Sequence, residues 1–271
     1  MLPKKAIIII IILVIFSTLS LLKLYTLAPD VSELEHTTSP SLRKFPDAPY
    51  KVDHHASPPA EDVLSPKEYQ LLSNLISRKT SCNLLFFGIK PQFLALAALN
   101  SAGTAIFLED DPEKLKAQAP KGVGIYLVKN HEKAGKAFEL LEHARKHPSC
   151  RLQAGLLTSL TGSKCRLVLK GLPAAVYGRK WDVIVIDGPS GDRPEAPGRM
   201  GAIFTAAVLA HKGLSTDVFV HDTDHMIEKW YSWEFLCHEN MVSSKGKLWH
   251  FRITANSSSD RFCPQAAVQI L

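Results

Sequence analysis

The apolar positions along the chain fall into three regimes. Residues 6–22 read AIIIIIILVIFSTLSLL, 17 residues without a charge. At about 1.5 Å per residue, a helix of that length approaches the ~30 Å hydrocarbon core of a bilayer. Lys4 and Lys5 just before it favour a cytoplasmic N-terminus. A cleaved signal peptide is the alternative, but its apolar region is usually only ~7–15 residues, so the pattern favours an uncleaved transmembrane signal anchor within residues 1–27. On either reading the rest of the chain faces a lumen or the exterior. Residues 28–63 hold Pro29, Pro40, Pro46, Pro49, Pro58 and Pro59 among Ser, Asp and Glu. No hydrophobic period survives there, which predicts a stem.

From residue 64 to 271 the pattern is that of one folded domain. Ser65, Pro66 and Glu68 have the order of an N-cap, first helical position and capping-box acid, predicting a helix to about Arg78. Continuous apolar runs at 83–89, 104–108, 124–128, 181–187 and 217–222 have the length and composition of strands buried on both faces. Helical stretches fall at 92–100, 131–147, 200–211 and 224–238, and 247–254 alternates like a final strand. Strands alternating with helices predict an α/β fold, a Rossmann-like doubly wound parallel sheet. Ligands in such sheets bind beyond the carboxyl ends of the strands.

Composition narrows the function classes. Charged residues at 21% and hydrophobic ones at 46% exclude wholesale disorder. A net charge of +6 without a dense Lys/Arg stripe permits an acidic partner but argues against nucleic acid. Five cysteines are too few for a disulfide scaffold. On the lumenal side of a membrane, disulfides are allowed. The simple expectation is two local pairs, Cys150 with Cys165 and Cys237 with Cys263, leaving Cys82; five buried thiols are the alternative. The sequon at Asn256 is the only one.

The expected strand ends carry the candidate chemistry. Gly88 closes the first strand and permits close backbone approach to a ligand, although no G-x-G-x-x-G follows. Glu109 ends the second strand about twenty residues later, where an acid binds ribose hydroxyls in nucleoside-binding folds; with Asp110 and Asp111 beside it, a solvated loop charge is the other reading. Asp187 ends the fourth strand before Gly188-Pro189 and suits a cofactor or substrate pocket, or else a helix cap. The loop 190–199 presents Arg193 and Arg199, either for bidentate recognition of a carboxylate or as a surface loop in which Arg199 pairs with Glu195. His221 and Asp222 end the fifth strand, with Asp224 and His225 nearby. A His there serves as a general base, joins a divalent-metal site, or is structural. P-loop, G-x-S-x-G, H-E-x-x-H and C-x-x-C patterns are absent.

Together these blocks resemble the plant DUF579 polysaccharide-biosynthesis family of glucuronoxylan 4-O-methyltransferases, arabinogalactan methyltransferases and irregular-xylem xylan proteins. The resemblance spans about residues 64–263. It rests on CNLLFFG at 82–88, TAIFLEDDP at 104–112, WDVIVIDG at 181–188, PEAPGRM at 194–200, AIFTAAV at 202–208, VFVHD at 218–222, EFLC at 234–237 and LWHF at 248–251. It implies a fold of the S-adenosylmethionine-dependent methyltransferase type. It further implies a Golgi enzyme, single-pass and type II, that uses S-adenosyl-L-methionine to methylate the 4-hydroxyl of glucuronic acid on an acidic polysaccharide, glucuronoxylan or arabinogalactan. Gly88, Glu109 and Asp110 would then hold the nucleoside, Arg193 or Arg199 the uronate, and Asp187, His221 or Asp222 the hydroxyl proton; metal use stays open. The chain departs from the methyltransferase branch at Ile89-Lys90-Pro91-Gln92, where a Gly and a polar pair are usual. That departure gives the alternative of a non-catalytic xylan-biosynthesis component on the same fold.

Overall fold

Five of the apolar runs become parallel strands of a seven-stranded sheet: β1 (Asn83–Phe87), β2 (Thr104–Glu109), β3 (Val123–Leu127), β4 (Val183–Ile186) and β5 (Ser215–Val220). They are seen in a computed structural model that describes residues 63–79, 81–116, 122–129, 132–152, 156, 160–254 and 261–263. β6 (Met241–Lys245) and β7 (Leu248–Thr254) complete the sheet, β7 running antiparallel to both of its neighbours. The order is β3-β2-β1-β4-β5-β7-β6. The expected membrane helix, the stem up to residue 62 and the sequon at Asn256 lie outside the described residues. Among the described residues no helix is long and apolar enough to cross a membrane.

β1, β2, β4 and β5 each feed two cores, because successive side chains point to opposite faces; the edge strand β3 packs only Val123 and Ile125, against one of them. Leu84, Phe86, Phe107, Val183, Val185 and Phe219 pack under α1 (Pro66–Arg78) and α2 (Pro91–Leu99). Leu85, Phe87, Leu108, Ile184, Ile186 and Val220 pack on the other face with α3 (Ala137–Lys146), α5 (Met200–Ala210) and α6 (Met226–Phe235). Every residue of α5 is buried, and Phe204 meets Phe235 of α6 edge-on at 5.0 Å between ring centres. Both sides of the sheet are therefore covered, which is why the strands read as unbroken apolar runs rather than alternating ones.

Two elements have no expected counterpart. β6, with the polar sequence MVSSK, is a half-exposed edge strand joined to β7 at Gly246 (φ 54°). The short helix α4 (Ala174–Gly178) has too few turns to show a helical period. The stretch expected to be helical from 131 holds a 3-10 turn at Ala134–Lys136 before α3 begins at Ala137. Cys150–Cys165 and Cys237–Cys263 are disulfides, and Cys82 is a buried thiol.

β5 carries one structural charge centre. Asp217 is fully buried; its Oδ1 accepts hydrogen bonds from His250 Nε2 (2.7 Å) and Arg252 Nε (2.9 Å), and its Oδ2 lies 2.9 Å from Lys79 Nζ. Burial opposes the carboxylate, but His250 and Lys79 outweigh it and hold the pKa at about 2. Asp217→Asn removes the charge that Lys79 and Arg252 face and should destabilise the domain by about 3 kcal/mol. Urea unfolding checks this, and an unchanged midpoint would show the cluster to be energetically idle.

Candidate functional site

The strand order reverses between β1 and β4, because the chain moves outward through β2 and β3 and returns to continue through β5. At that switch point the turns after β1 and β4 touch. Gly88 has φ 98°, and a Cβ there would lie 2.8 Å from the carbonyl oxygen of Asp187. A Cβ on Gly188 would lie 2.8 Å from Gly88 Cα. Only glycines allow this approach. The ladder continues into both turns, with Asp187 N–H donating to Phe87 O (2.9 Å) and His221 N–H to Ile186 O (3.0 Å).

A small cleft lies beyond these strand ends, walled by Phe87, Leu108, Glu109, Asp110, Gly188 and Pro189 among others. Glu109 is buried and organises its rim. Its Oε2 accepts the Ile89 N–H (2.7 Å), and its Oε1 accepts those of Asp110 (3.0 Å) and Asp111 (3.1 Å). Glu109 is thus built into the turn after β1 and is no solvated loop acid. Burial, reinforced by the neighbouring Glu109, raises the Asp110 carboxyl to about 6.

Next to the cleft, the ends of β4 and β5 bring Asp187, His221 and Asp222 together. His221 Nδ1 lies 3.1 Å from Asp187 Oδ1 and 3.2 Å from Asp222 Oδ1. Arg199, at the start of α5, has a side chain only 2% exposed. Its Nη2 lies 2.7 Å from Asp222 and 3.2 Å from Asp187, while Nε donates to Pro189 O (2.8 Å) and Nη1 to His221 O (3.1 Å). Lys90 Nζ reaches Asp187 Oδ2 at 2.6 Å. From the far side, Glu68 of α1 lies 3.8 Å from His221 Nε2 and also accepts the N–H of Lys247 (2.7 Å) in the β6–β7 turn. Glu228 of α6 is 3.8 Å from Arg199 Nε.

The electrostatics of the cluster follow from these contacts. Burial works against a charged imidazole, yet the hydrogen bond and charge of Asp187, with the charge of Asp222, raise the His221 pKa above its ordinary value. Burial likewise opposes the Asp222 carboxylate, but Arg199 and His221 lower its pKa. Burial raises the Glu228 pKa, with Arg199 opposing. The stability that His221 contributes is fully present below an ordinary imidazole pKa of about 6.5 and is lost as pH rises through the raised folded value. His221→Gln should therefore flatten the dependence of unfolding free energy on pH above about 6.5. Urea melts at several pH values test this, and an unchanged slope would contradict it.

Of the residues singled out in the sequence, Asp187, His221, Asp222 and Arg199 meet in one cluster, and Gly88, Glu109 and Asp110 surround the adjoining cleft. Arg199 pairs with Asp187 and Asp222 rather than with Glu195. Asp187 caps no helix, since α5 begins only at Met200. Arg193 is on the surface, 76% exposed, and pairs with Asp192. Asp224 stands apart from the cluster, pairing with Lys247, while His225, 55% exposed, lies at its edge, 4.0 Å from Glu228. Asp187, His221 and Asp222 offer ligand atoms within 4.8 Å of one another, and the donor types suit a divalent ion. Arg199 and Lys90 already neutralise these carboxylates, so the charge balance does not call for a metal.

A family profile described as IRX15/IRX15L/GXM matches residues 67–251. The chain belongs to this family. It is 37% identical over 240 residues to Arabinogalactan O-methyltransferase 2 of Arabidopsis thaliana, covering 83% of this chain and 82% of that protein. It is similarly 39% identical over 210 residues to Glucuronoxylan 4-O-methyltransferase 1 of the same plant, covering 73% and 72%. Protein IRREGULAR XYLEM 15 is 37% identical over 225 residues, covering 78% and 67%. The IRX15/IRX15L/GXM match runs from α1 into β7 and contains the whole cluster. In this member of the family, three cluster residues escaped the sequence reading. Lys90 stood only as part of an unusual turn, Glu68 was fully explained as a helix cap, and Glu228 sat in a helix without any mark.

Proposed function

We propose that the chain is an S-adenosylmethionine-dependent O-methyltransferase acting on the 4-hydroxyl of glucuronic acid side chains, with glucuronoxylan the first acceptor and arabinogalactan the next. It would work in the Golgi lumen from a single-pass type II membrane anchor. The observation that carries this reading is the juxtaposition at the switch point of an acid-rimmed cleft with the Asp187–His221–Asp222 cluster. The names of its relatives support the same chemistry. The lining of the cleft has the chemistry a nucleoside needs, with Phe87 and Leu108 as apolar walls and the carboxyls of Glu109 and Asp110 for ribose hydroxyls.

When bound, S-adenosylmethionine supplies a methyl carbon made electrophilic by its sulfonium. The protein must position the acceptor hydroxyl in line and remove its proton. Asp222 has the most accessible side chain of the three cluster members, 11% exposed against 2% for His221 and 0% for Asp187. We assign it to receive that proton. Arg199 keeps it ionised, and although this makes it a weak base, the hydroxyl becomes strongly acidic as its oxygen gains the methyl group. His221, hydrogen-bonded to Asp187 through Nδ1, lies within ion-pair distance of the Asp222 carboxylate and holds it by charge. Arg199 is a positioning residue, since its guanidinium is committed to the cluster.

One observation favours the second reading, a xylan-biosynthesis component without catalysis. In the departing turn, Lys90 covers Asp187, and Gln92 is turned to the backbone of Leu64, accepting its N–H (2.8 Å) and donating to its carbonyl (3.0 Å). Incubating the purified full chain with methyl-labelled S-adenosylmethionine and unmethylated glucuronoxylan or arabinogalactan separates the two. The enzyme reading expects label at O4 of glucuronic acid, and its absence with folded protein favours the second. Methyl-donor affinity should also rise with pH through about 6 as Asp110 ionises. Asp110→Asn should abolish that inflection in calorimetric titrations, and a persisting inflection would remove Asp110 from the donor site.

A further inference from the structure

A second, larger cleft of about 220 Å³ opens beside the first, and Leu169 lines both. Its lining is the segment Arg166–Lys170 together with Lys129, Glu132 and Gly201. The segment is held from behind by α5. Leu169 N–H donates to Thr205 Oγ1 (3.0 Å), and a Cβ on Gly201 would come within 2.9 Å of Leu169 Cδ2 and 3.2 Å of Leu167 O. Glycine at 201 thus lets the helix backbone press against residues 167–169. The Cys150–Cys165 disulfide ties down the segment just before Arg166. The wall is therefore fixed, with Leu167, Val168 and Leu169 buried while Arg166 and Lys170 are exposed at its two ends.

The charges on this wall are unequal in kind. Arg166 is answered by Glu132 (3.2 Å) and Glu139 (2.7 Å). Lys129 and Lys170, both exposed, form no ion pair with any described residue. Lys129 directly follows Val128, which lines the first cleft. Two ammonium groups without an ion-pair partner among the described residues thus border this cavity, whose one lining acid, Glu132, is engaged by Arg166. Arg199 is buried among its own carboxylates, so it does not provide this positive charge.

We propose that the second cleft seats the carboxylate of the acceptor's uronic acid, with Lys129 and Lys170 as its counter-charges. This rests on the methyltransferase reading above and names the part of the site that makes it selective for an acidic sugar. Lysines act here as flexible point charges. They draw an acidic side chain of the polymer to the mouth of the donor cleft, and they let sugars of somewhat different shape bind.

The test uses the full chain and its Lys129→Gln/Lys170→Gln double variant. The acceptors are glucuronoxylan and the same polymer with its uronic acids reduced to neutral hexose. For the acidic acceptor KM should rise roughly tenfold in the variant, as two partly exposed ion pairs are lost, while kcat and the affinity for S-adenosylmethionine stay near wild type. KM for the neutral polymer should not change. An unchanged KM for the acidic polymer, or equal losses on both polymers, would overturn the proposal. If the wild type methylates neither polymer, the function reading fails, and the seat is then judged by calorimetric titration of a glucuronic-acid-bearing xylo-oligosaccharide. Salt-sensitive binding that weakens in the double variant upholds the seat. No binding, or binding indifferent to the two lysines, overturns it.

Discussion

Replacing Arg199 with methionine is expected to destabilise the domain by about 3–5 kcal/mol, the largest stability effect of any single substitution considered. The guanidinium is 2% exposed and lies against Asp187 and Asp222, with Glu228 behind it. Methionine fills much of the volume but leaves the two nearest carboxylates facing each other and His221 with only Lys90 as fixed counter-charge. It also strands the carbonyls of Pro189 and His221, which accept hydrogen bonds from Nε and Nη1. Arg199→Lys should recover only part of the loss, because one ammonium cannot span four acceptors set at these angles. Urea unfolding of both variants measures the effect. A methionine variant as stable as wild type would mean that the carboxylates are neutral in the folded protein, and the electrostatic description of the cluster would have to be abandoned.

Asp222→Asn is expected to lower kcat about 10²- to 10⁴-fold with little change in fold or in affinity for the methyl donor. The substitution is isosteric and keeps an oxygen for Arg199. The backbone at Asp222 has φ 58°, a left-handed conformation that Asn adopts as readily as Asp. What it removes is the capacity to take a proton. The split between turnover and donor affinity distinguishes a proton acceptor from a residue that merely shapes the site. Equal losses in both, or turnover within a few-fold of wild type, would move the role elsewhere in the cluster.

Much of this architecture was legible in the sequence because the fold writes itself in local patterns. β1, β2, β4 and β5 lie between two helical layers, so each appears as an unbroken apolar run ending at a Gly or an acid, whereas the edge strand β3 is half-exposed and runs on into Val128 and Lys129. The Gly and acid ends line the candidate site, which is why Gly88, Glu109, Asp187, His221 and Asp222 stood out from their places at strand ends. What the sequence hid depends on tertiary pairing. β6 is short, polar and on an edge, and its pairing with β7 sets its register. Glu68 caps α1 by rules that are entirely local, and only the arrival of the β6–β7 turn and of His221 gives it a second set of partners. Arg199 looked like a loop cation available to a ligand. Its burial follows from the tight seating of α5, whose first residues leave the side chain no route to solvent. Lys129 and Lys170 lie far apart in the chain and carry no motif, and only the cleft unites them.

Calorimetric titration of S-adenosylmethionine and S-adenosylhomocysteine into the disulfide-intact full chain tests most directly whether the switch point between β1 and β4 binds a methyl donor, with Glu109→Gln as the matched control. The expected result is micromolar binding, about 8 kcal/mol, weakened in the Glu109 variant. Absence of binding by the folded chain would contradict a donor site there.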